Sequence, residues 1–158
     1  MIRILASGMV MLAGVVSSPL GISPIQTPIQ VSPDYRNDPR LTSLNKFFHK
    51  LECPAEKYSA VFLEAADNYA LDWRLLPSLS FVETTGGKSA RNNNFFGWDS
   101  GRARFPSPAA AIHEVGYRLK HSRFYINKKL DKLLAVYNPD AEYGPKVKSV
   151  MRRISPTE

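Results

Sequence analysis

Glu83 is a carboxylic acid that follows a largely apolar stretch, residues 79–82. The stretch is predicted to be helical, and the Thr-Thr-Gly-Gly run at 84–87 is predicted to end the helix, because glycine readily adopts the left-handed conformation of a C-terminal cap. Apolar surroundings and the negative end of a helix dipole both disfavour an ionised carboxylate, so we expect the pKa of Glu83 to be raised. An acid that stays protonated near neutral pH can give a proton to the leaving oxygen of a glycosidic bond.

Two segments farther along the chain carry side chains suited to binding sugars. Residues 91–98 read Arg-Asn-Asn-Asn-Phe-Phe-Gly-Trp, and residues 136–139 read Val-Tyr-Asn-Pro. Asparagine amides bond the N-acetyl and hydroxyl groups of amino sugars, and flat aromatic faces pack on the apolar faces of pyranose rings. The aromatic residues of both segments have core packing as their alternative role, and the sequence leaves that alternative open.

A third motif precedes these two segments: residues 83–89 read Glu-Thr-Thr-Gly-Gly-Lys-Ser. The three motifs, in this order, resemble the bacterial glucosaminidase family (mannosyl-glycoprotein endo-β-N-acetylglucosaminidase-like domains) and its lytic-transglycosylase relatives. Those families pair a catalytic Glu, followed by Ser or Thr at a helix end, with a downstream Asn-Asn-x-Phe-Gly segment, and the transglycosylases close the sugar cleft with a Tyr-Asn segment. The resemblance covers residues 72–154.

This resemblance implies a lysozyme-like fold and cleavage of peptidoglycan at a β-1,4 bond between N-acetylated amino sugars, with Glu83 as the general acid. The implied activity is that of a glycoside hydrolase of the endo-β-N-acetylglucosaminidase type. The alternatives are a lytic transglycosylase that forms anhydro ends and a peptidoglycan-binding module without turnover. The substrate-binding residues implied are Thr84, Asn93, Asn94, Phe96, Trp98 and Tyr137.

A second catalytic carboxylate is predicted at Asp99, which lies 16 residues after Glu83. From the cleft it would position water or stabilise a positively charged transition state. The alternative is an ordinary turn residue ahead of Ser-Gly, and Glu114 is a weaker candidate for the second carboxylate. If neither acts, the substrate must assist through its N-acetyl oxygen or its own 6-hydroxyl, and the sequence does not choose between these routes.

Apolar residues at three- and four-residue intervals predict the helices that position these groups. Residues 95–105 are predicted to form two short strands around a glycine-bearing turn. The fold class is therefore mostly α (α+β), a lysozyme-like helical domain with one small β-hairpin beside the active-site cleft. The predicted helices cover residues 40–51, 54–69, 72–84, 108–119, 130–137 and 143–154.

The N-terminal region is predicted to serve export. Residues 1–17 have a positive start and a short uncharged apolar segment, which indicates a secretory signal peptide or an N-terminal anchor. Prolines recur through residues 18–39, which predicts a stiff tether, and the folded domain is then 40–158. Export would locate the domain in the bacterial periplasm or cell envelope, with membrane contact only through an uncleaved N-terminal segment.

The formal net charge of +7 implies an anionic partner. Export favours peptidoglycan strands over nucleic acid, so we expect no nucleic-acid partner, although a basic DNA-binding protein is the rival interpretation. Cys53 is the only cysteine, which excludes an internal disulfide and a cysteine-based zinc site. The pair His113-Glu114 lacks the second histidine of a zinc-protease helix, so no metal and no cofactor are expected, and the protein is expected to be a monomer.

Overall fold

The computed structural model of the chain describes residues 33–156, so the predicted signal or anchor segment and most of the predicted tether lie outside the described residues. The expected mostly helical fold is confirmed. No helix among the described residues is long and apolar enough to cross a membrane. A short 3₁₀ helix, Pro54–Tyr58, precedes α2. The α-helices are α1 (Pro39–Lys50), α2 (Ser59–Tyr69), α3 (Leu75–Thr84), α4 (Pro108–His121), α5 (Leu130–Tyr137) and α6 (Tyr143–Ile154).

Side-chain caps fix where two of these helices begin. Asp38 accepts a hydrogen bond from the backbone N–H two residues later, at 2.8 Å, and Ser107 accepts one from the N–H three residues later, at 3.1 Å. Pro39 and Pro108 follow these caps at the first helical position, where a missing N–H has no helical partner to lose. The start of α4 that Ser107-Pro108 predicts is therefore confirmed.

Helix α3 is the buried helix of the domain, and it carries Glu83 in its last turn. Residues 75–80 of this helix are all buried, as expected for a helix that is surrounded by other elements. It packs against both α2 and α6, and α2 packs in turn against α4. The sequence predicts Asp72 as the cap of this helix, but the helix begins at Leu75, and the Asp72 carboxylate caps the preceding turn instead. Pro77 thus falls in the first turn, where its missing N–H breaks no helical bond.

The end of α3 is a run of left-handed residues. Thr85 is the first of them, with φ of 53°, and Gly86 and Gly87 follow with φ of 61° and 94°. An added Cβ at Gly86 would lie 2.8 Å from the Cβ of Cys53, so this turn packs too closely against the α1–α2 connection for any larger residue. The helix stop predicted from Thr-Thr-Gly-Gly is confirmed, although a threonine rather than a glycine begins it.

The β-hairpin predicted at residues 95–105 is wrong, because no strand forms within residues 33–156. The chain makes successive turns instead, and the carbonyl of Gly97 accepts a hydrogen bond from the N–H of Gly101 at 2.8 Å. Positive φ values are incompatible with an extended strand, and they interrupt the segment four times. We call residues 91–105 the site loop. The residues with positive φ between positions 95 and 105 are Gly97, Asp99, Ser100 and Gly101.

Candidate active site

Glu83 lies in the last turn of α3 with its side chain half-buried. Burial raises the pKa of the Glu83 carboxyl above its ordinary value, as the apolar sequence around it predicts. The hydroxyl of Tyr143, on α6, donates a hydrogen bond to Glu83 Oε1 at 2.6 Å. This bond offsets part of the rise in pKa, because it favours the ionised form. The net result is an acid that holds its proton to higher pH than a solvated glutamate.

The second carboxyl oxygen of Glu83 faces the backbone of the site loop at Gly97. An added Cβ at Gly97 would lie 2.7 Å from Glu83 Oε2, and the residue has φ of 58°. Only glycine satisfies both the left-handed backbone and this close approach. The two carboxyl oxygens therefore have different neighbours: a hydroxyl donor on α6 for Oε1 and the site loop for Oε2.

A pocket of about 320 Å³ borders the Glu83 carboxyl. It lies between the end of α3, the site loop, the connection from α4 to α5, and the end of α5, so four separate parts of the chain form its walls. A larger depression of about 420 Å³ between α1 and the end of α6 is lined by no carboxylate, so it offers no candidate acid. The residues that line the pocket at Glu83 are Glu83, Phe96, Gly97, Trp98, Asp99, Ser100, Tyr125, Tyr137 and Asn138.

Four aromatic side chains surround Glu83. The ring of Tyr137 stacks on that of Tyr143, with centroids 5.8 Å apart and planes 12° apart, and it meets Trp98 edge-on at 5.8 Å. Trp98 also contacts Tyr125, with centroids 6.4 Å apart. Burial raises the pKa of all three tyrosines, so their hydroxyls are neutral hydrogen-bond donors near neutral pH.

Tyr137 connects α5 to the site loop. Its hydroxyl donates a hydrogen bond to the backbone carbonyl of Phe96 at 2.9 Å. The Phe96 side chain is only 1% exposed and its ring meets that of Phe62 at 6.5 Å, so most of it belongs to the core even though it borders the pocket. The buried Phe96 side chain therefore fixes the site loop to the core, and the Tyr137 hydroxyl fixes the backbone of the loop to α5.

Three of the predicted substrate-binding residues hold the site loop in shape. The Thr84 hydroxyl donates to a backbone carbonyl of the site loop at 2.8 Å, and the Asn93 amide donates to another at 2.8 Å. The Asn94 side chain bonds both the N–H and the carbonyl of Trp98, each at 2.9 Å. These polar groups are engaged by backbone, and none of the three residues is among those that line the pocket. Of the predicted set, Phe96, Trp98 and Tyr137 border it directly.

Asp99 borders the pocket, and 56% of its side chain is exposed. Its carboxylate accepts a hydrogen bond from Arg102 at 2.8 Å, and its φ of 53° shows that it is also a turn residue. Glu114, the weaker candidate, lies on α4 and forms an ion pair with Arg118 at 2.6 Å. The guanidinium of Arg118 lies 5.3 Å from the centre of the Trp98 ring, so a cation is present at the edge of the aromatic wall.

Five residues of this site are absent from the set predicted from the sequence: Tyr143, which bonds Glu83, and the pocket residues Gly97, Ser100, Tyr125 and Asn138. The apolar periodicity of α6 accounts for Tyr143 as a core residue, and no motif role distinguishes Tyr125. One signal was available, because a tyrosine on a buried helix face keeps a hydroxyl that needs a hydrogen-bond partner. Which partner it finds depends on how α6 packs on α3, and periodicity alone does not give that contact.

The described residues give little support for a metal site or a reactive cysteine. Within 33–156 no group of three or more His, Cys, Asp and Glu side chains is arranged to hold a metal ion. Cys53 is buried, and burial raises the pKa of its thiol, which disfavours a reactive thiolate. Comparisons of the chain with models of known protein families and with curated proteins find no match. The geometry around Glu83 and the sequence motifs are therefore the basis on which a function is assigned.

Proposed function

We propose that this protein is an exported enzyme of the bacterial cell envelope that cleaves β-1,4 bonds between N-acetylated amino sugars of peptidoglycan, with Glu83 as the general acid. The observation that carries the proposal is the Glu83 carboxyl, which is half-buried, has a raised pKa and borders a pocket with aromatic walls. The motif order that resembles the glucosaminidases supplies the substrate class. The net charge of +7 suits a polymer whose stem peptides carry carboxylates.

In the first chemical step, Glu83 gives its proton to the bridging oxygen while the glycosidic bond breaks. Because Tyr143 donates to Oε1, Oε2 is the oxygen that carries the proton. When the proton has left, the Tyr143 hydroxyl stabilises the new carboxylate, since a hydrogen bond to a charged acceptor is stronger than one to a neutral acceptor. Tyr143 thereby keeps the acid from becoming too weak and stabilises the anion formed in the same step.

The positive charge that develops at the anomeric carbon requires a second group. In the hydrolytic route Asp99, at the edge of the pocket, directs a water to that carbon. In the routes with a single protein carboxylate, the N-acetyl oxygen or the 6-hydroxyl of the sugar attacks that carbon as the glycosidic bond breaks. The 6-hydroxyl gives its proton to the Glu83 carboxylate and leaves an anhydro end, whereas the N-acetyl oxygen forms an oxazolinium ring that water then opens to a reducing end. The second candidate function, a lytic transglycosylase, is favoured by the exposure of Asp99: 56% of its side chain is exposed and, among the described residues, it is the one carboxylate besides Glu83 that lines the pocket, so no buried second carboxylate is present there for hydrolysis.

The remaining pocket residues suit a sugar ligand. Trp98 and Tyr137 offer aromatic surface for the apolar faces of pyranose rings. The Tyr125 hydroxyl is the tyrosine donor for a sugar oxygen, since the hydroxyls of Tyr137 and Tyr143 already donate to Phe96 and Glu83. Thr84, Asn93 and Asn94 act as positioning residues, because their hydrogen bonds hold the loop that carries Trp98. Basic side chains in the site loop and just before it, including Lys88, Arg102 and Arg104, meet the carboxylates of the stem peptides.

Mass spectrometry of purified peptidoglycan digested by the full chain tests this proposal. A glucosaminidase releases fragments with reducing N-acetylglucosamine ends, whereas a transglycosylase releases fragments with anhydro ends that cannot be reduced. Asp99→Asn separates the routes within the same assay, because it removes the hydrolytic base and leaves substrate-assisted attack intact. Binding to peptidoglycan without any new chain ends would contradict catalysis and indicate the binding module instead.

A further inference from the structure

The connection between α4 and α5, residues 122–129, combines exposed apolar side chains with a tyrosine that faces the pocket; we call it the tip loop. Phe124 is 57% exposed and Ile126 is 47% exposed, which makes them two of the four large apolar side chains that stand out from the surface of the described residues. Tyr125, between them, has the opposite orientation and lines the pocket at Glu83. Two apolar side chains thus point to solvent directly beside the candidate active site.

Backbone hydrogen bonds hold this arrangement. The carbonyl of Ser122 accepts from the N–H groups of Tyr125 and Ile126, each at 2.9 Å, and the carbonyl of Tyr125 accepts from the N–H of Lys128 at 3.1 Å. These bonds form consecutive turns, so the exposure of Phe124 and Ile126 is a consequence of a defined loop conformation. Exposing apolar surface in this way costs free energy unless something covers it.

The charge around these two residues has one sign. Residues 120–130 contain four Lys and Arg residues and no Asp or Glu. Helix capping does not explain Lys128 and Lys129, because they immediately precede the N-terminus of α5, where the helix dipole disfavours cations. The positive end of that dipole adds to their charge. The tip loop therefore carries two exposed apolar side chains among four cationic side chains, and the first acidic residue after it, Asp131, is paired with Lys148 at 2.8 Å. The four cations are Lys120, Arg123, Lys128 and Lys129.

We propose that the tip loop docks the protein on a membrane surface that contains anionic lipids, with Phe124 and Ile126 entering the headgroup boundary. Lys and Arg flanking exposed apolar residues match the chemistry of such a surface. Two side chains provide far less area than the roughly 800 Å² per partner of a stable protein interface. A sugar platform is less suitable, because the Arg123 guanidinium already lies 4.9 Å from the centre of the Phe124 ring and an isoleucine offers no flat face.

This docking would hold the pocket close to the membrane, since Tyr125 belongs to both the tip loop and the pocket wall. An enzyme oriented in this way acts on polymer at the membrane surface in preference to polymer far from it. Docking through the tip loop does not depend on which glycosidic bond is cut, or on whether any bond is cut.

Tryptophan fluorescence of full-length Phe124→Trp tests the proposal. We expect its emission to shift to shorter wavelength with vesicles of phosphatidylglycerol and phosphatidylcholine, and brominated lipids to quench the added signal at least about twofold. The unsubstituted chain supplies the background of its own tryptophans, and Val136→Trp, on α5 at a position that is 42% exposed, is the matched control. Every variant keeps the N-terminal segment, so that segment cannot produce a difference between them.

Two further measurements test the role of charge in the docking. Replacing Lys128 and Lys129 by Gln in the Phe124→Trp chain should abolish most of the quenching, as should vesicles of phosphatidylcholine alone. Equal quenching in Phe124→Trp and Val136→Trp, or none in either, would overturn the proposal. Soluble glycan strands that shift the emission of Phe124→Trp while vesicles leave it unchanged would also overturn it, and would assign the tip loop to sugar binding.

Discussion

At the level of single residues, Glu83 and Tyr143 control each other's titration. Burial raises the pKa of both groups, and the hydrogen bond between them lowers the pKa of Glu83 while it raises that of Tyr143. The hydrogen bond therefore makes the buried Glu83 carboxyl a stronger acid than burial alone would, while its pKa stays above the ordinary value.

Tyr143→Phe should move the alkaline limb of the pH–rate profile to higher pH, because it removes the hydrogen bond that lowers the pKa of Glu83. The maximal rate should fall about tenfold, since the carboxylate formed in the first step loses a charge-assisted hydrogen bond. Initial rates across a pH series on solubilised peptidoglycan measure both effects.

Tyr137→Phe is the control for that measurement. Its hydroxyl bonds the carbonyl of Phe96 and not Glu83, so its loss should cost about 1 kcal/mol of stability and leave the alkaline limb in place. If both variants shifted the limb equally, the specific link between Tyr143 and Glu83 would be disproved.

At the level of elements, the site depends on a loop folded against the end of a helix. The site loop has its glycine at position 97, where Glu83 Oε2 leaves no room for a Cβ. Thr84, at the end of α3, bonds the backbone of the same loop at 2.8 Å. Contacts between the end of α3 and the site loop thus hold Glu83 and Trp98 in place relative to each other. Helices α5 and α6 contribute Tyr137 and Tyr143 from farther along the sequence.

Gly97→Ala should abolish most cleavage, because the added methyl group would displace the Glu83 carboxyl. Gly101→Ala is the matched control: that residue also has positive φ, 79°, but an added Cβ meets nothing within 4 Å. Both variants should lose about 1 to 2 kcal/mol from backbone strain alone. Rates corrected for the folded fraction should therefore fall in Gly97→Ala only, and equal loss in both would refute the close packing of Gly97 on the acid.

The helices were predictable from the sequence, whereas the site loop was not. Apolar spacing gives each helix within a few residues, because one buried face leaves a strong periodic signal over ten or more positions. The alternating pattern at 95–105 looks like two strands, but its residues satisfy their backbone groups in local turns. Side-chain bonds such as those of Asn94 to Trp98 stabilise these turns, and a pattern of apolar and polar residues does not contain that information.

The site was predictable only in part, for the same reason. Glu83 is recognisable because a charged residue in apolar surroundings at the end of a helix costs free energy, which indicates a functional role. Its partner Tyr143 lies 60 residues away, and only the packing of α3 against α6 brings the two together. Asn93 and Asn94 have the residue type of sugar ligands, yet their amides are used by the loop backbone.

At the level of the whole molecule, the buried acid makes stability depend on pH. The folded state raises the pKa of Glu83 above its ordinary value of 4.5, so it binds the proton more tightly than the unfolded chain does. The contribution of Glu83 to stability is therefore complete below the unfolded pKa and is lost as the pH rises through the folded pKa. Above the folded pKa of Glu83 the molecule is less stable than it is with this carboxyl protonated.

Glu83→Gln should remove this dependence, because an amide does not titrate and its oxygen still accepts the bond from Tyr143. The melting temperature of Glu83→Gln relative to the unsubstituted protein should rise between about pH 4 and about pH 8. Thermal melts across this range measure it. A difference that stays constant with pH would mean that Glu83 is not held with a raised pKa.

The most direct test of the central claim is the rate at which Glu83→Gln cleaves purified peptidoglycan, compared with the unsubstituted chain and with Asp99→Asn at equal folded concentration. We expect Glu83→Gln to keep the fold and to lose at least about 100-fold in rate, because the amide matches the carboxyl in size but has no proton to give. A folded Glu83→Gln protein that retained more than about a tenth of the rate would contradict the assignment of Glu83 as the catalytic acid.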